Sequence, residues 1–233
     1  MRVATFNVLA DAYTGYGDLS HVDPALLDQG ACTDAAVDLI DSLGVDLVAL
    51  QEAELPLVQA LSDKGSWQLL WQPKGLSKPD GCLTLVRKGI EVDGNESVAF
   101  SDRSGHVAQI THIGDVAFAN SHIKWSPEDD PHHKGVYQMK ELLGALGLRS
   151  AVILADCNDR PGGPVRRQVE QAGFTDLGRD IPTAYVDHAQ VAIDLLAVRG
   201  VSAKLIPTKL KPINIPDAQC PSDHIPLVAE LQL

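Results

Sequence analysis

The 233-residue chain has no run of 18 or more apolar residues, which excludes a membrane-spanning helix. It has no C-x-x-C pair. Cys32, Cys82, Cys157 and Cys220 are widely spaced and read as buried thiols in a reducing compartment, over a zinc site or a disulfide framework. No G-x-G-x-x-G turn follows the first apolar run, so a dinucleotide-binding open sheet is not indicated. No Ser/Gly/Pro-rich linker and no low-complexity tract divides the sequence, and one domain over residues 1–233 is expected. A secretory leader is also missing: position 2 is basic, but the chain enters a strand pattern at once. A cytoplasmic protein without membrane association or an obligate protein partner is expected. Basic residues are scarce, 19 Lys and Arg against 31 Asp and Glu, a formal charge of −12. That balance argues against a broad clamp on duplex DNA, which needs a basic face. It leaves room for a nuclease acting on a short RNA end, or for an enzyme of small phosphoesters, because a carboxylate metal site itself adds negative charge.

What is present is a core: 45% of the residues are hydrophobic, enough for a chain of this length to bury a substantial interior. Strand patterns are read at 3–8, 46–51, 67–71, 82–87, 151–155, 191–198 and 225–231, with a hairpin of 106–112 and 115–121 around Gly114. Helical spacing appears at 33–43 (stopped by Gly44), 55–61, 135–146 and 164–172. Residues 72–81 read as a loop. Strands mixed with helices, some joined by hairpins, predict an α/β fold with two mixed sheets flanked by helices.

Seven polar signals punctuate this pattern, six of them closing or interrupting apolar runs: Asn7, Glu52, His122, Asp156, Asn158, Asp194, and Ser222-Asp223-His224. Charged groups beside core strands are costly unless paired or bound to metal. Gathered at one sheet edge, they would form an acidic pocket for magnesium. Glu52 is the leading metal-ligand candidate, since magnesium needs only one or two protein carboxylates; a solvated strand-end glutamate is the alternative. Asn7 either holds a phosphate or a carboxylate, or is a turn residue. Asp156 and Asn158 leave a strand end on the same side, so one can take a proton from water while the other holds a phosphoryl oxygen; an Asx-turn competes. Asp223-His224 pairs an imidazole with an acid that favours its cationic form. His122 is a further donor candidate. Asp194 lies within an apolar strand, where orienting a histidine is its natural work. Lys124 and Arg160 are phosphate-clamp candidates, each within four residues of a proposed catalytic group, with surface solvation an equal alternative. His132-His133-Lys134 reads as a solvated helix start.

In this order, Thr5-Phe6-Asn7-Val8-Leu9, Leu50-Gln51-Glu52, Asn120-Ser121-His122, Ala155-Asp156-Cys157-Asn158, Ile193-Asp194 and Ser222-Asp223-His224 resemble the endonuclease/exonuclease/phosphatase superfamily. The segments 7–13, 80–87 and 121–127 are similar to its deadenylase, nocturnin and Angel branch. The resemblance implies a four-layer α/β sandwich and magnesium- or manganese-dependent hydrolysis of phosphoesters. It implies that Glu52 binds metal with Asn7 beside it, that Asp156 activates water and that Asn158 holds the scissile phosphate. His122 and His224 would stabilise phosphoryl charge, while Asp194 and Asp223 orient a histidine or the metal and its water. Deadenylases stack a base between a proline and an aromatic residue. Pro127 matches the first, but Ala189 stands in the expected place of the second, with His188 the neighbouring ring.

The leading expectation is a magnesium-dependent phosphodiesterase acting on RNA or an oligonucleotide at its 3′ end. The alternative is a phosphatase acting on a terminal or 2′,3′-cyclic phosphate or a small phosphoester. A non-catalytic binding domain is the third, opposed by the intact carboxylate, amide and histidine set.

Overall fold

The computed structural model of the protein describes residues 1–15, 18–28 and 30–233. Two six-stranded mixed sheets stack face to face. The first orders β13 (Ser202–Ile206), β14 (Leu227–Gln232), β1 (Arg2–Asn7), β2 (Leu47–Glu54), β4 (Asp80–Arg87) and β3 (Trp67–Pro73). The second orders β5 (Gly94–Ala99), β6 (Val107–Ile113), β7 (Val116–His122), β8 (Ala151–Asp156), β12 (Asp194–Arg199) and β9 (Thr175–Asp176). A two-stranded hairpin, β10 (Ala184–Val186) and β11 (Ala189–Val191), stands apart from both. β1 and β2 are parallel, as are β7 and β8, and each pair is joined through a helix.

Alternation along the strands builds three apolar layers. Ala4 and Phe6 of β1, with Val48 and Leu50, pack under α1 (Ala31–Ser42) and α2 (Leu55–Lys64). On the second sheet Ala119, Ile153 and Leu195 pack under α3 (Lys134–Leu146) and α4 (Pro164–Gln171). Val3, Leu47, Phe118, Val152, Leu154 and Leu196 fill the space between the sheets. The result is a four-layer α/β sandwich. No described helix is long and apolar enough to cross a membrane.

The helices end where local chemistry says they should. α2 carries Pro56 in its first turn and stops at Gly65, which adopts φ 72°. The first turn of α4 is held by Asp159, whose Oδ2 accepts from the Val165 and Arg166 amides at 2.8 and 2.9 Å. Three expectations need correction. Residues 72–81 are not one loop, because β3 runs to Pro73 and β4 begins at Asp80. Gly81 permits this pairing: a Cβ there would lie 2.3 Å from the Gln72 carbonyl. The run 191–198 divides, Val191 ending β11 and Asp194 opening β12, so Asp194 is a strand-end residue. β5 and β13, which were not read as strands, are partly exposed edge strands.

Candidate active site

The inter-sheet layer turns polar toward one end. A buried plug comes first, in which Gln51 Nε2 donates to Asn120 Oδ1 at 2.8 Å and lies 3.2 Å from Thr5 Oγ1. The Asn120 amide in turn donates to the Leu50 carbonyl at 3.1 Å. Beyond it, the same strand faces present Asn7, His122, Asp156 and Asp194. The register sets His122 opposite Asp156 and Asp194 opposite Asp156. Strand alternation therefore delivers four of the predicted residues to one place.

Glu52 reaches the pocket by a different route. Continuing the alternation would turn it toward the helices, alongside Val48 and Leu50. Instead the β2–β4 register shifts between Leu50 and Ala53, and Glu52 adopts φ 57°. Ala53 takes the helix-facing position, and the bulge swings the carboxylate inward. Asn158 is likewise left-handed, at φ 49°. Strand patterning alone gives no sign of either conformation.

The side chains form one network. Asn7 Nδ2 donates to Glu52 Oε1 at 3.1 Å and to Asp156 Oδ2 at 2.9 Å, bridging the two sheets. The Ala10 amide donates to Glu52 Oε2 at 3.0 Å, and the Asn158 amide to Asp156 Oδ1 at 2.9 Å. The loop before β14 is tied in by Ser222, whose hydroxyl donates to the Asn7 carbonyl at 2.7 Å. That places His224 with Nδ1 2.8 Å from Asp194 Oδ2 and Nε2 4.0 Å from both Asp156 and Asp223.

The two histidines experience opposite fields. Burial alone would lower the His224 pKa, but Asp194, Asp223 and Asp156 outweigh it and hold the ring well above its ordinary value. For His122, burial and then the Lys74 charge push the pKa well below. Burial raises Asp156 to about 7, with His224 opposing and Asp194 reinforcing the rise. Glu52 is also raised by burial, with Lys74 acting against it.

Lys74 has no counterpart in the sequence reading, and Asp80 enters it only as the first residue of the 80–87 segment. Their side chains are 1% and 0% exposed and pair at 2.5 Å, with Lys74 Nζ 3.2 Å from His122 Nδ1. Nothing in an apparent loop distinguishes this lysine from a solvated one. His106 was also missed: its Nδ1 lies 2.8 Å from the His122 carbonyl, and burial together with Lys74 lowers its pKa to about 4.

A groove of about 600 Å³ opens beside Asn158, lined by Trp125, Pro127, Arg160, Val186 and Ala189 among others. Pro127 and Arg160 are thus at the site, whereas Lys124 is half-buried outside this lining. His188 does not replace the aromatic missing at Ala189; its Nε2 pairs with Asp18 at 2.9 Å. Trp125, 63% exposed, is the groove's aromatic wall. His133 is not solvated but 8% exposed, and its Nδ1 accepts from the Val136 amide at 3.3 Å, capping α3.

The donor set suits a hard divalent cation. Glu52, Asp156 and His122 converge, as do Asp156, Asp194 and His224. Asp194 Oδ1 is buried without a hydrogen-bond partner, an orphaned acceptor that a cation or its water would satisfy. His122 is the poorest ligand of the set, because the Lys74 and Asn158 donors face its two nitrogens at 3.2 and 3.0 Å.

No protein-family model and no curated protein sequence matches the chain. Solved structures do. ANGEL2, described as a 2′,3′-cyclic phosphatase, superposes with TM-score 0.83 at 14% identity, over 99% of this chain and 94% of that one. The human Nocturnin catalytic domain with bound sulfate gives TM-score 0.74 at 16% identity, over 100% and 93%. An endonuclease/exonuclease/phosphatase from Bacteroides vulgatus gives TM-score 0.76 at 17% identity, over 100% and 98%. The sandwich is therefore the fold of the endonuclease/exonuclease/phosphatase proteins, in the form shared with ANGEL2 and Nocturnin.

Proposed function

We propose that the protein is a divalent-metal-dependent phosphoesterase that hydrolyses RNA or a short single-stranded oligonucleotide at its 3′ end. The observation that carries this reading is the convergence of Asn7, Glu52, Asp156, Asn158, Asp194, a neutral His122 and a cationic His224 in one buried network. Glu52, with Asn7 and Asp223 near it and the free edge of Asp194, would hold magnesium or manganese. Such an ion supplies Lewis-acid neutralisation of phosphoryl charge.

The chain's own groups account for the rest. Asp156, with its pKa near 7, can accept a proton from the attacking water at neutral pH. The new P–O bond forms in line with the ester bond that breaks, and the ester oxygen departs on the opposite face. Asn158 and His122 donate to the phosphoryl oxygens, while His224, kept cationic by Asp194, offsets the charge that builds up. Arg160 and the exposed Trp125 and Pro127 line the groove where the nucleoside beyond the scissile phosphate would lie.

The likeness to ANGEL2 favours a second reading, removal of a terminal or 2′,3′-cyclic phosphate. A 5′-labelled RNA bearing a cyclic phosphate separates the two: progressive shortening supports the first, loss of only the end phosphate the second. Glu52→Ala should abolish either activity, a loss of at least about 10²–10³-fold, with the circular dichroism spectrum unchanged. Wild-type turnover by that variant would overturn the site.

A further inference from the structure

Lys74 poses a problem that the proposed chemistry does not use up. A fully buried lysine is expensive, and its ion pair with Asp80 only partly offsets the desolvation. The pair is nevertheless fixed from several sides. The Lys74 amide donates to the Asp80 carbonyl at 3.0 Å, and Tyr13 donates its hydroxyl proton to Asp80 Oδ1 at 2.8 Å. Gly81 lets the chain ends of β3 and β4 close up around it. Each Asp80 oxygen thereby has a donor, and of the three ammonium protons a further one is left for His122 Nδ1, 3.2 Å away.

The other side of that ring carries a second donor. Asn158 Nδ2 lies 3.0 Å from His122 Nε2, and it also donates to the Ile123 carbonyl at 3.0 Å. The Ile123 bond fixes which way the amide faces: its nitrogen, not its oxygen, is toward the ring. A neutral imidazole has one N–H and one lone pair, so it cannot accept from both Lys74 and Asn158. A cationic ring would oppose two donors at once. The charged donor is the stronger of the two. Lys74 therefore takes the Nδ1 lone pair, and Nε2 must carry the proton.

We propose that Lys74 is a positioning residue that fixes His122 as the Nε2–H tautomer, so that His122 and Asn158 present two convergent donors to one oxygen of a bound phosphoryl group. Two N–H groups 3.0 Å apart repel one another, and Asp156 Oδ2, 3.7 Å from Nε2, is beyond hydrogen-bond distance; a phosphoryl oxygen bridging them removes the conflict. The pocket thus stores an unmet demand for an anion at the place where the substrate's charge develops. Lys74 supplies this without touching substrate, which its burial prevents. The kinetic part of the inference rests on the phosphoesterase reading; the tautomer does not.

The test begins with imidazole-¹⁵N NMR of the metal-free, substrate-free protein, with the His122 signals assigned through His122→Gln. The expected state is an unprotonated, hydrogen-bonded Nδ1 and a protonated Nε2. Lys74→Met leaves Asp80 uncompensated and threatens folding, so the paired variant Lys74→Met/Asp80→Asn is the decisive one. In it Asn158 gains the Nε2 lone pair, and the proton moves to Nδ1, toward Glu52 Oε1 at 3.6 Å. Lys74→Arg, which keeps a charged donor, should retain the wild-type tautomer. On whichever phosphoester the wild type hydrolyses, the paired variant should lose roughly 10–100-fold in kcat, with KM largely kept. A wild-type ring already protonated at Nδ1, or a paired variant still protonated at Nε2, overturns the assignment. So does a loss confined to KM. If the wild type hydrolyses no phosphoester, the functional reading fails, and the NMR result alone decides the role of Lys74.

Discussion

His122 and His224 occupy one pocket, both nearly buried, yet the chain around them drives them apart. His224 is surrounded by Asp194, Asp223 and Asp156 and is held cationic. His122 faces Lys74 and is held neutral. Burial acts on both in the same direction, so the difference is entirely one of neighbours. One flank of the site thus offers a full positive charge and the other an oriented dipole, and Asp156 lies between them, 3.7 and 4.0 Å from the two rings. Identical side chains acquire separate tasks from the residues that face them.

The comparison breaks most sharply at Asp194. Asp194→Asn removes the main charge that raises His224, so the ring's pKa falls and its cationic population at neutral pH shrinks. The rate should drop by roughly 10²–10³-fold, and the alkaline limb of the pH–rate profile should move to lower pH. Steady-state rates between pH 5 and 9 read both effects. An unmoved alkaline limb would show that His224 does not act as the cation.

Asp156, between the rings, sets the next test. Its pKa of about 7 in the folded protein lies above the ordinary unfolded value near 4. The folded state therefore binds more protons across that window, and this group's contribution to stability is lost as pH rises from about 4 to 7. A divalent cation relieves the same crowding of carboxylates. At a hundredfold excess over its dissociation constant it adds about 2.7 kcal/mol. Thermal melts with and without magnesium should show a larger gain in Tm at pH 8 than at pH 5. An equal gain at both would place the ion away from Asp156.

Much of this was legible in the sequence because strands alternate. Asn7, His122 and Asp156 end apolar runs and Asp194 interrupts one, all with the parity of inter-sheet residues, so the pattern that builds the core also aims the side chains. Legibility stopped where the backbone departs from that pattern. The bulge at Glu52 and the left-handed Asn158 are local conformations that no periodicity announces, and Glu52 was identified from its residue type rather than its geometry. Lys74 was hidden for a different reason. Its burial arises from pairing with Asp80 across the β3–β4 turn and from packing against the distant His122, whereas a single lysine in a polar stretch reads as solvated. The edge strand β5 carries too few apolar residues to register, whereas around β13 Val201, Ala203 and Leu205 alternate with polar residues only over a short segment.

The groove sharpens the comparison from the substrate's side, since its aromatic wall adjoins Asn158 and therefore the neutral flank. Stacking of a base on an aromatic ring is worth about 1–3 kcal/mol. Trp125→Ala should reduce kcat/KM for oligonucleotides by roughly 5–150-fold and collapse the preference for base-bearing over abasic ends. Equal losses on both substrates would assign Trp125 to the fold and leave the base without a platform.

The smallest effect belongs to a histidine outside the pocket, which serves as the control for the two inside it. His133 is as buried as His122, and a sequence of two adjacent histidines invites a metal reading. Among the described residues it forms no ion pair with a carboxylate; its Nδ1 accepts the Val136 amide proton at the start of α3. That is capping, and losing a cap costs about 1 kcal/mol. His133→Ala should lower stability by about that amount in urea titrations, with an unchanged m-value and unchanged turnover. Burial is common to all three rings. If catalysis fell with His133 as it is expected to fall with Asp194, burial itself, and not the charges facing each ring, would be what the pocket exploits.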